Sequence, residues 1–286
     1  LKSGHHPRAA LSKMNRVRQR CAFNLTQPGK LVRIQWEQSC VPSQAEPGCT
    51  RDVLLFLHGL GGNMAAMHPL MDALSKASCL DRFTFANLSL PGHESDDLAE
   101  SWHEEHLISA VEQCYKEAGA GRTSRLVAVG AAFTGYPLLR AIRQGWVDSQ
   151  IELSNLAHFA SVDWFPTVSE MMKKPPPTED ADVAAMRDTM VRLFENGAPP
   201  QLKEYVHDVV GGHELDVYRR ATRFVYDAFN RNGDPIEAIS RTTSTTPDAR
   251  VLMLHRDLPP EAEEIIDKAG LPPQQFSHDT VGQSFS

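Results

Sequence analysis

Two carboxylates stand at the ends of predicted strands. They are Asp163, in Val162-Asp163-Trp164, and Asp257, two residues past His255. Either could orient a histidine and either could be a plain surface carboxylate; Asp163 is preferred. His103-Glu104-Glu105-His106 gathers two imidazoles and two acids, but its spacing is one residue short of the H-E-x-x-H zinc signature. A solvated helix face is expected there, and no metal. The five cysteines, Cys21, Cys40, Cys49, Cys79 and Cys114, have no metal-ligand spacing. Cys40 and Cys49 flank a short stretch and could face each other, although free buried thiols are the commoner state in a chain of this size. Gly61-Gly62 lacks both the lysine of a phosphate loop and the G-x-G-x-x-G pattern, so no nucleotide site is expected. None of these stretches calls for a cofactor.

The elements that must position these residues alternate in type. Residues 30–38 switch between apolar and polar side chains and predict a half-buried strand. Residues 53–57 (VLLFL) are apolar throughout, as a parallel strand covered on both faces requires. Further strands are predicted over 83–88, 125–129, 151–162, 251–255 and 274–281, with helices over 64–77, 98–118, 136–146 and 261–269. The stretch from Lys173 to Asp182 is rich in proline and charge and reads as a linker. Helices over 183–196, 200–209 and 214–229 follow it. Strands alternating with helices predict an α/β fold with a mostly parallel central sheet flanked by helices, and a helical cap inserted after the sixth strand. The expected divisions are a basic N-terminal tail over 1–29, the first part of the core over 30–165, the cap over 166–245 and the last part of the core over 246–286.

Composition narrows the partners. Of 286 residues, 41% are apolar, enough for a sizeable core, and the net charge of −7 argues against nucleic acid as a partner, because phosphate needs a basic surface. No apolar run reaches the roughly 18–20 residues of a membrane span, so a soluble, cytoplasmic protein is expected. The start of the chain carries Lys2, Arg8, Lys13, Arg16, Arg18 and Arg20 and no acid. A disordered basic tail is the expectation there, with import into an organelle as the alternative. The oligomeric state is left open.

Three motifs, in order, carry a resemblance to the α/β-hydrolase superfamily from about residue 30 onward: Leu57-His58-Gly59-Leu60-Gly61-Gly62, Leu90-Pro91-Gly92-His93-Glu94-Ser95, and Val127-Ala128-Val129-Gly130-Ala131-Ala132-Phe133-Thr134-Gly135. The first resembles the HG loop, which implies that the backbone amide of Leu60 helps form an oxyanion hole. The plain alternative is a glycine turn made for packing. The second resembles the family's structural PGH turn, and no chemistry is assigned to His93 or Ser95. The third sits where the family has its nucleophile elbow, G-x-S-x-G. The central position is Ala132, which offers no nucleophilic oxygen, so no covalent acyl-enzyme can form. The Phe133 amide remains a second oxyanion donor. Thr134 stands where the second glycine is usual, and its branched Cβ is expected to strain the turn. The family's histidine would fall near Ser286 or beyond, since His278 lies too early, inside the last strand. The family's final helix is also expected to be missing from this chain.

A narrower resemblance, to the cofactor-free ring-cleaving dioxygenases of that fold, rests on Val162-Asp163-Trp164 and on Asn230-Arg231-Asn232-Gly233-Asp234-Pro235. It implies a general-base pair of Asp163 with a histidine beyond the end of this chain, and no metal or flavin. The sequence departs from that pattern at Leu60, Gly62 and Ala132. The leading expectation is therefore a protein with a small-molecule pocket under the cap, disabled for serine chemistry. It would take an apolar or aromatic ligand, with His58, Trp164 and Phe165 along the pocket. An active cofactor-independent oxygenase, or another enzyme of the family, is the alternative, and a scaffold whose cap is the contact surface is a third.

Overall fold

The computed structural model describes residues 17–27, 30–40, 52–59, 62–77, 80, 83–90, 93, 104–118, 125–131, 134–145, 147, 149–153, 175–197, 203, 207–208, 211–255, 264 and 267–280. Within them one sheet forms from β1 (Val17–Gln27), β2 (Lys30–Cys40), β3 (Asp52–Leu57), β4 (Phe83–Leu88), β5 (Leu126–Ala131), β6 (Ser149–Leu153), β7 (Arg250–His255) and β8 (Phe276–Thr280). Its order is β1-β2-β4-β3-β5-β6-β7-β8. β1, β2 and β4 pair antiparallel, and every pair from β4 through β8 is parallel.

The central strands are apolar at successive positions because both faces are covered, and the two-residue period divides their side chains between two layers. Leu54 and Phe56 point to one side with Phe83, Phe85 and Val129, against Met67 and Met71. Phe56 and Phe85 meet edge to face at 5.6 Å. Val53, Leu55 and Leu57 point to the other side, into the larger cluster with Leu107, Val111, Leu138 and Ile142. The first layer is covered by α1 (His68–Leu74), which follows a 3-10 turn over Met64–Met67. The second is covered by α2 (Glu104–Glu117) and α3 (Gly135–Arg143). After α4 (Asp180–Gly197) come α5 (Leu215–Asn232) and α6 (Pro235–Thr245).

α5 buries Val217, Ala221, Phe224 and Ala228, a stripe of three- and four-residue steps. Ala221, Phe224 and Ala228, with Ile236 and Ile239 of α6, share the main core with α3. The two helices are separate because of Asn232-Gly233-Asp234-Pro235. Gly233 takes φ 77° and closes α5 through its N–H to Phe229 O at 2.8 Å. Asp234 then caps α6 by accepting from Glu237 N at 2.9 Å, and Pro235 begins it. A stop-and-start signal thus accounts for the stretch that had suggested ring-cleaving relatives.

Two expectations change. Residues 17–27 are not part of a basic tail: they pair along their whole length with β2, Val17 opposite Cys40 through Gln27 opposite Lys30. α6 is an element of its own, which the periodicity over 214–229 did not predict. His278 lies inside β8, paired with Met253, as expected. Among the described residues no helix is long and apolar enough to cross a membrane.

Candidate functional site

The chain leaves β3 toward β4 on one side, and leaves β4 for β5 on the other side of β3. Such a reversal opens a crevice at the carboxyl ends of the adjoining strands, where ligands bind in open α/β sheets. Two loops border it. The loop after β3 is drawn closed by Gly62 N donating to Gly59 O at 3.1 Å. Gly59 packs against the end of β5, since a Cβ there would stand 3.7 Å from both Cβ and O of Ala131. The turn after β5 leads into α3, with Thr134 as the residue before the helix. Gly130 makes this turn possible. A Cβ on it would fall 2.7 Å from Leu138 Cδ1 and 2.9 Å from Thr134 Oγ1. Thr134 does not strain the turn. It has helical dihedrals, φ −66° and ψ −13°, and its hydroxyl donates to Ala131 O at 3.0 Å. A branched residue is tolerated because the position already belongs to the helix, where threonine has allowed rotamers. Thr134 is fully buried, so its hydroxyl serves the turn and offers nothing to a ligand.

His58, the residue just after β3, is fully buried. Leu90 N donates to its Nε2 at 3.0 Å, and its Nδ1 lies 2.9 Å from Gly59 O. A carbonyl only accepts, so Nδ1 carries the proton, and Nε2 must be bare to receive the Leu90 amide. The ring is therefore held neutral in one tautomer. Burial lowers its pKa to about 4, partly offset by the Gly59 carbonyl and reinforced by nearby His213. Both nitrogens are committed to backbone, so His58 braces the loops after β3 and β4. Its ring meets His93 edge to face at 5.0 Å, and His93 meets His213 at 5.1 Å. His213, just ahead of α5, places Nε2 3.3 Å from Gly62 O. Tyr218 of α5 follows at 6.4 Å.

Two charged groups lie buried beside these loops. Glu37 of β2 is 4% exposed and accepts from His68 Nε2 at 2.6 Å, with Arg20 Nε at 3.5 Å. Asn87 donates to Glu37 Oε2 at 3.4 Å and to Met64 O at 2.8 Å, which ties β4 to the turn ahead of α1. Glu104 of α2 is 1% exposed and bound by Arg140 Nη1 at 2.9 Å, with Arg231 Nη1 at 3.8 Å. Arg140 also reaches Glu105 at 2.7 Å, so Glu104 and Glu105 join α2 to α3 and α5. The helix face expected for the His103–His106 stretch thus carries one deeply buried acid.

Of the site residues expected from sequence, His58 is described, while Leu60, Ala132, Phe133, Asp163, Trp164, Phe165 and Asp257 lie outside the described residues. So does Cys49, and with it the pairing to Cys40; Cys21 and Cys114 are free thiols. Sequence reasoning passed over His93 and His213. Only the adjacency of β3 and β4 brings 58 to 93, and only the return of the chain before α5 adds 213.

A sheet of this order and direction, with a glycine loop after β3 and a tight strand-to-helix turn after β5, defines the α/β-hydrolase fold, and this chain has it. No protein-family model matches the chain, and no curated protein matches its sequence. Its likeness to solved structures is clear. It is similar to the bromoperoxidase of Bacillus anthracis (TM-score 0.61, 12% identity, 92% of this chain and 91% of that one). It is also similar to the peroxisomal α/β-hydrolase Lpx1 of Saccharomyces cerevisiae (0.58, 11%, 94% and 82%). The Cif epoxide hydrolase of Acinetobacter nosocomialis is a third (0.57, 13%, 92% and 82%). Identities this low speak for the fold alone.

Proposed function

We propose that this protein binds a small apolar or aromatic molecule in the crevice above β3 and β5, under the helical segment 166–245, and that it does not hydrolyse esters through a serine nucleophile. One observation carries the reading: Ala132 is the central residue of Gly130-Ala131-Ala132-Phe133-Thr134, the stretch between β5 and α3 that resembles the family's nucleophile elbow. The neighbouring hydroxyl, Thr134, is buried and donates to Ala131 O. Neither residue supplies an oxygen for attack on a carbonyl. The braced loop after β3 supports a crevice kept in shape for binding. Trp164 and Phe165 are the proposed aromatic lining, and the amides of Leu60 and Phe133 are the proposed polar contacts for a ligand oxygen. Asp163, or Asp257 in its place, is the proposed acid of the site.

The test has two arms. The full chain is assayed on short p-nitrophenyl esters, and binding of a naphthalene sulfonate probe is followed by fluorescence with an aromatic competitor. No turnover and saturable, competable binding are expected. Ester turnover by the unaltered chain would overturn the reading. Metal-independent oxygen uptake on a hydroxyquinolone would replace it with the ring-cleaving alternative, with Asp163 as the residue to change.

A further inference from the structure

Four arginines from three helices gather where those helices meet: Arg140 and Arg143 of α3, Arg231 in the last turn of α5 and Arg241 of α6. Arg241 Nη1 donates to Arg231 O at 3.4 Å. Arg143 crosses to both other helices, donating through Nη1 to Thr242 Oγ1 at 2.9 Å and through Nη2 to Asn232 Oδ1 at 3.5 Å. The carboxylates that answer this cluster are Glu104 and Glu105, and both are engaged with Arg140 and Arg231. Among the described residues, Arg143 and Arg241 have hydrogen bonds to neutral oxygens and no ion pair. The protein as a whole carries a net charge of −7, so guanidiniums that outnumber the acids around them run against its general balance.

The electrostatics of the two α3 arginines differ accordingly. Arg143 is half-buried, and burial lowers its pKa; Arg241 lowers it further, Glu104 opposes this and Arg140 adds to it. Arg140 is moved the other way, because Glu104 and Glu105 more than offset its own burial. The neutral partners of Arg143 satisfy N–H groups without cancelling charge. They are themselves fixed, since the Thr242 hydroxyl donates to Ala238 O at 2.9 Å and Asn232 Nδ2 to Ala228 O at 2.8 Å. Arg143 is thus held in place with its charge unanswered. The carboxyl end of α3, where it stands, supplies only about half an elementary charge against it. Two acids at the start of α6 are turned elsewhere: Asp234 accepts from Glu237 N, and the Glu237 carboxylate lies against Gly233.

We propose that Arg143 and Arg241, flanked by Arg140 and Arg231, form an anion site that takes a phosphate group, free or as the monoester end of a small soluble molecule. Planar guanidinium forks match phosphate oxygens two at a time. A phosphate dianion answers both unpaired charges at once, which a single carboxylate does not. The neutral bonds to Thr242 and Asn232 hold the Arg143 fork ready, so little ordering is needed on binding. Arg143 ends α3, whereas the turn after β5 begins it, so this site and the proposed crevice stand at opposite ends of one helix and are open to separate tests.

The experiment is isothermal titration of the full chain with inorganic phosphate at about pH 7.5, where phosphate is largely dianionic. Sodium chloride at matched ionic strength is the reference, because exposed charges are screened by any salt. Saturable, single-site binding of phosphate is expected, with no such binding of chloride. Arg143→Gln and Arg241→Gln should each weaken it about tenfold, the worth of a hydrogen bond between charged groups. Arg192→Gln, which alters an exposed arginine of α4, should leave it unchanged. Arg241 is exposed and bonds a backbone carbonyl, so its variant is expected to unfold at the parent's urea midpoint and keeps the test decisive if Arg143→Gln folds poorly. A parallel titration with glycerol phosphate separates the sources. Tighter binding than that of inorganic phosphate assigns the site to an ester, weaker binding assigns it to the free ion, and either sustains the proposal. Phosphate that binds no better than chloride would overturn it. So would affinity that is unchanged in Arg241→Gln, or lowered as much by Arg192→Gln.

Discussion

Replacing His58 by glutamine should flatten the acid dependence of stability. Gln retains an acceptor near the position of Nε2, so the bond from Leu90 N can persist while the titrating ring is gone. In the unaltered protein the folded-state pKa of His58 is depressed, to about 4, chiefly because the ring is buried. Above about pH 6.5 the ring is neutral in both folded and unfolded chains and contributes no pH dependence. As pH falls from there toward 4, the unfolded chain takes up a proton that the folded one refuses, and stability is lost across that window. At about 1.4 kcal/mol per tenfold change in proton affinity, the loss amounts to roughly 3 kcal/mol. Urea unfolding followed by far-UV circular dichroism, at intervals from about pH 7 to about pH 4, gives the two curves. The glutamine variant starts less stable, yet the gap should close by roughly 3 kcal/mol toward acid. Parallel curves would refute the reasoning, because they would mean that the ring is solvated or already charged in the folded state.

Gly130→Ala should destabilise by about 1–3 kcal/mol, since its Cβ would overlap Leu138 and Thr134 in a turn with no room to relax; a midpoint in urea equal to the parent's would contradict this. Arg140→Met should cost about 3 kcal/mol, because it strands the Glu104 carboxylate in the core with only a distant Arg231. The double variant with Glu104→Gln should recover part of that loss in the same unfolding assay. Thr134→Val should lower stability by about 1 kcal/mol by removing the hydrogen bond to Ala131 O, and should leave probe binding unchanged, as its side chain is buried within the turn.

Much of this architecture is legible in the chain itself, and the exceptions have physical causes. VLLFL and FTFANL announce buried parallel strands because nothing polar is needed where both faces are covered. The turn after β5 is legible through Gly130, whose missing side chain is a steric requirement. β1 is hidden because Arg18 and Arg20 flank Gln19 in its first half, and a strand at the border of a sheet tolerates charge. Thr134 is misread because a glycine-to-threonine exchange suggests strain, while the backbone there is already helical. The histidine array is not legible at all. Positions 58, 93 and 213 share no period and no motif, and they meet only because the order of strands places their loops side by side.

Among the described residues, β1 forms one margin of the sheet, and no further strand lies beside its 11 residues. A long open margin invites the same stretch of another molecule to add itself, the first step toward fibrous aggregation. Arg20 stands on that margin with its side chain 72% exposed, directly opposite Glu37 in the ladder and within ion-pair reach of it. An incoming copy would have to set its own arginines against this one, like charge on like. Arg20, one of the basic residues that disguise the strand in the sequence, is thus also a charge that such an addition would have to meet.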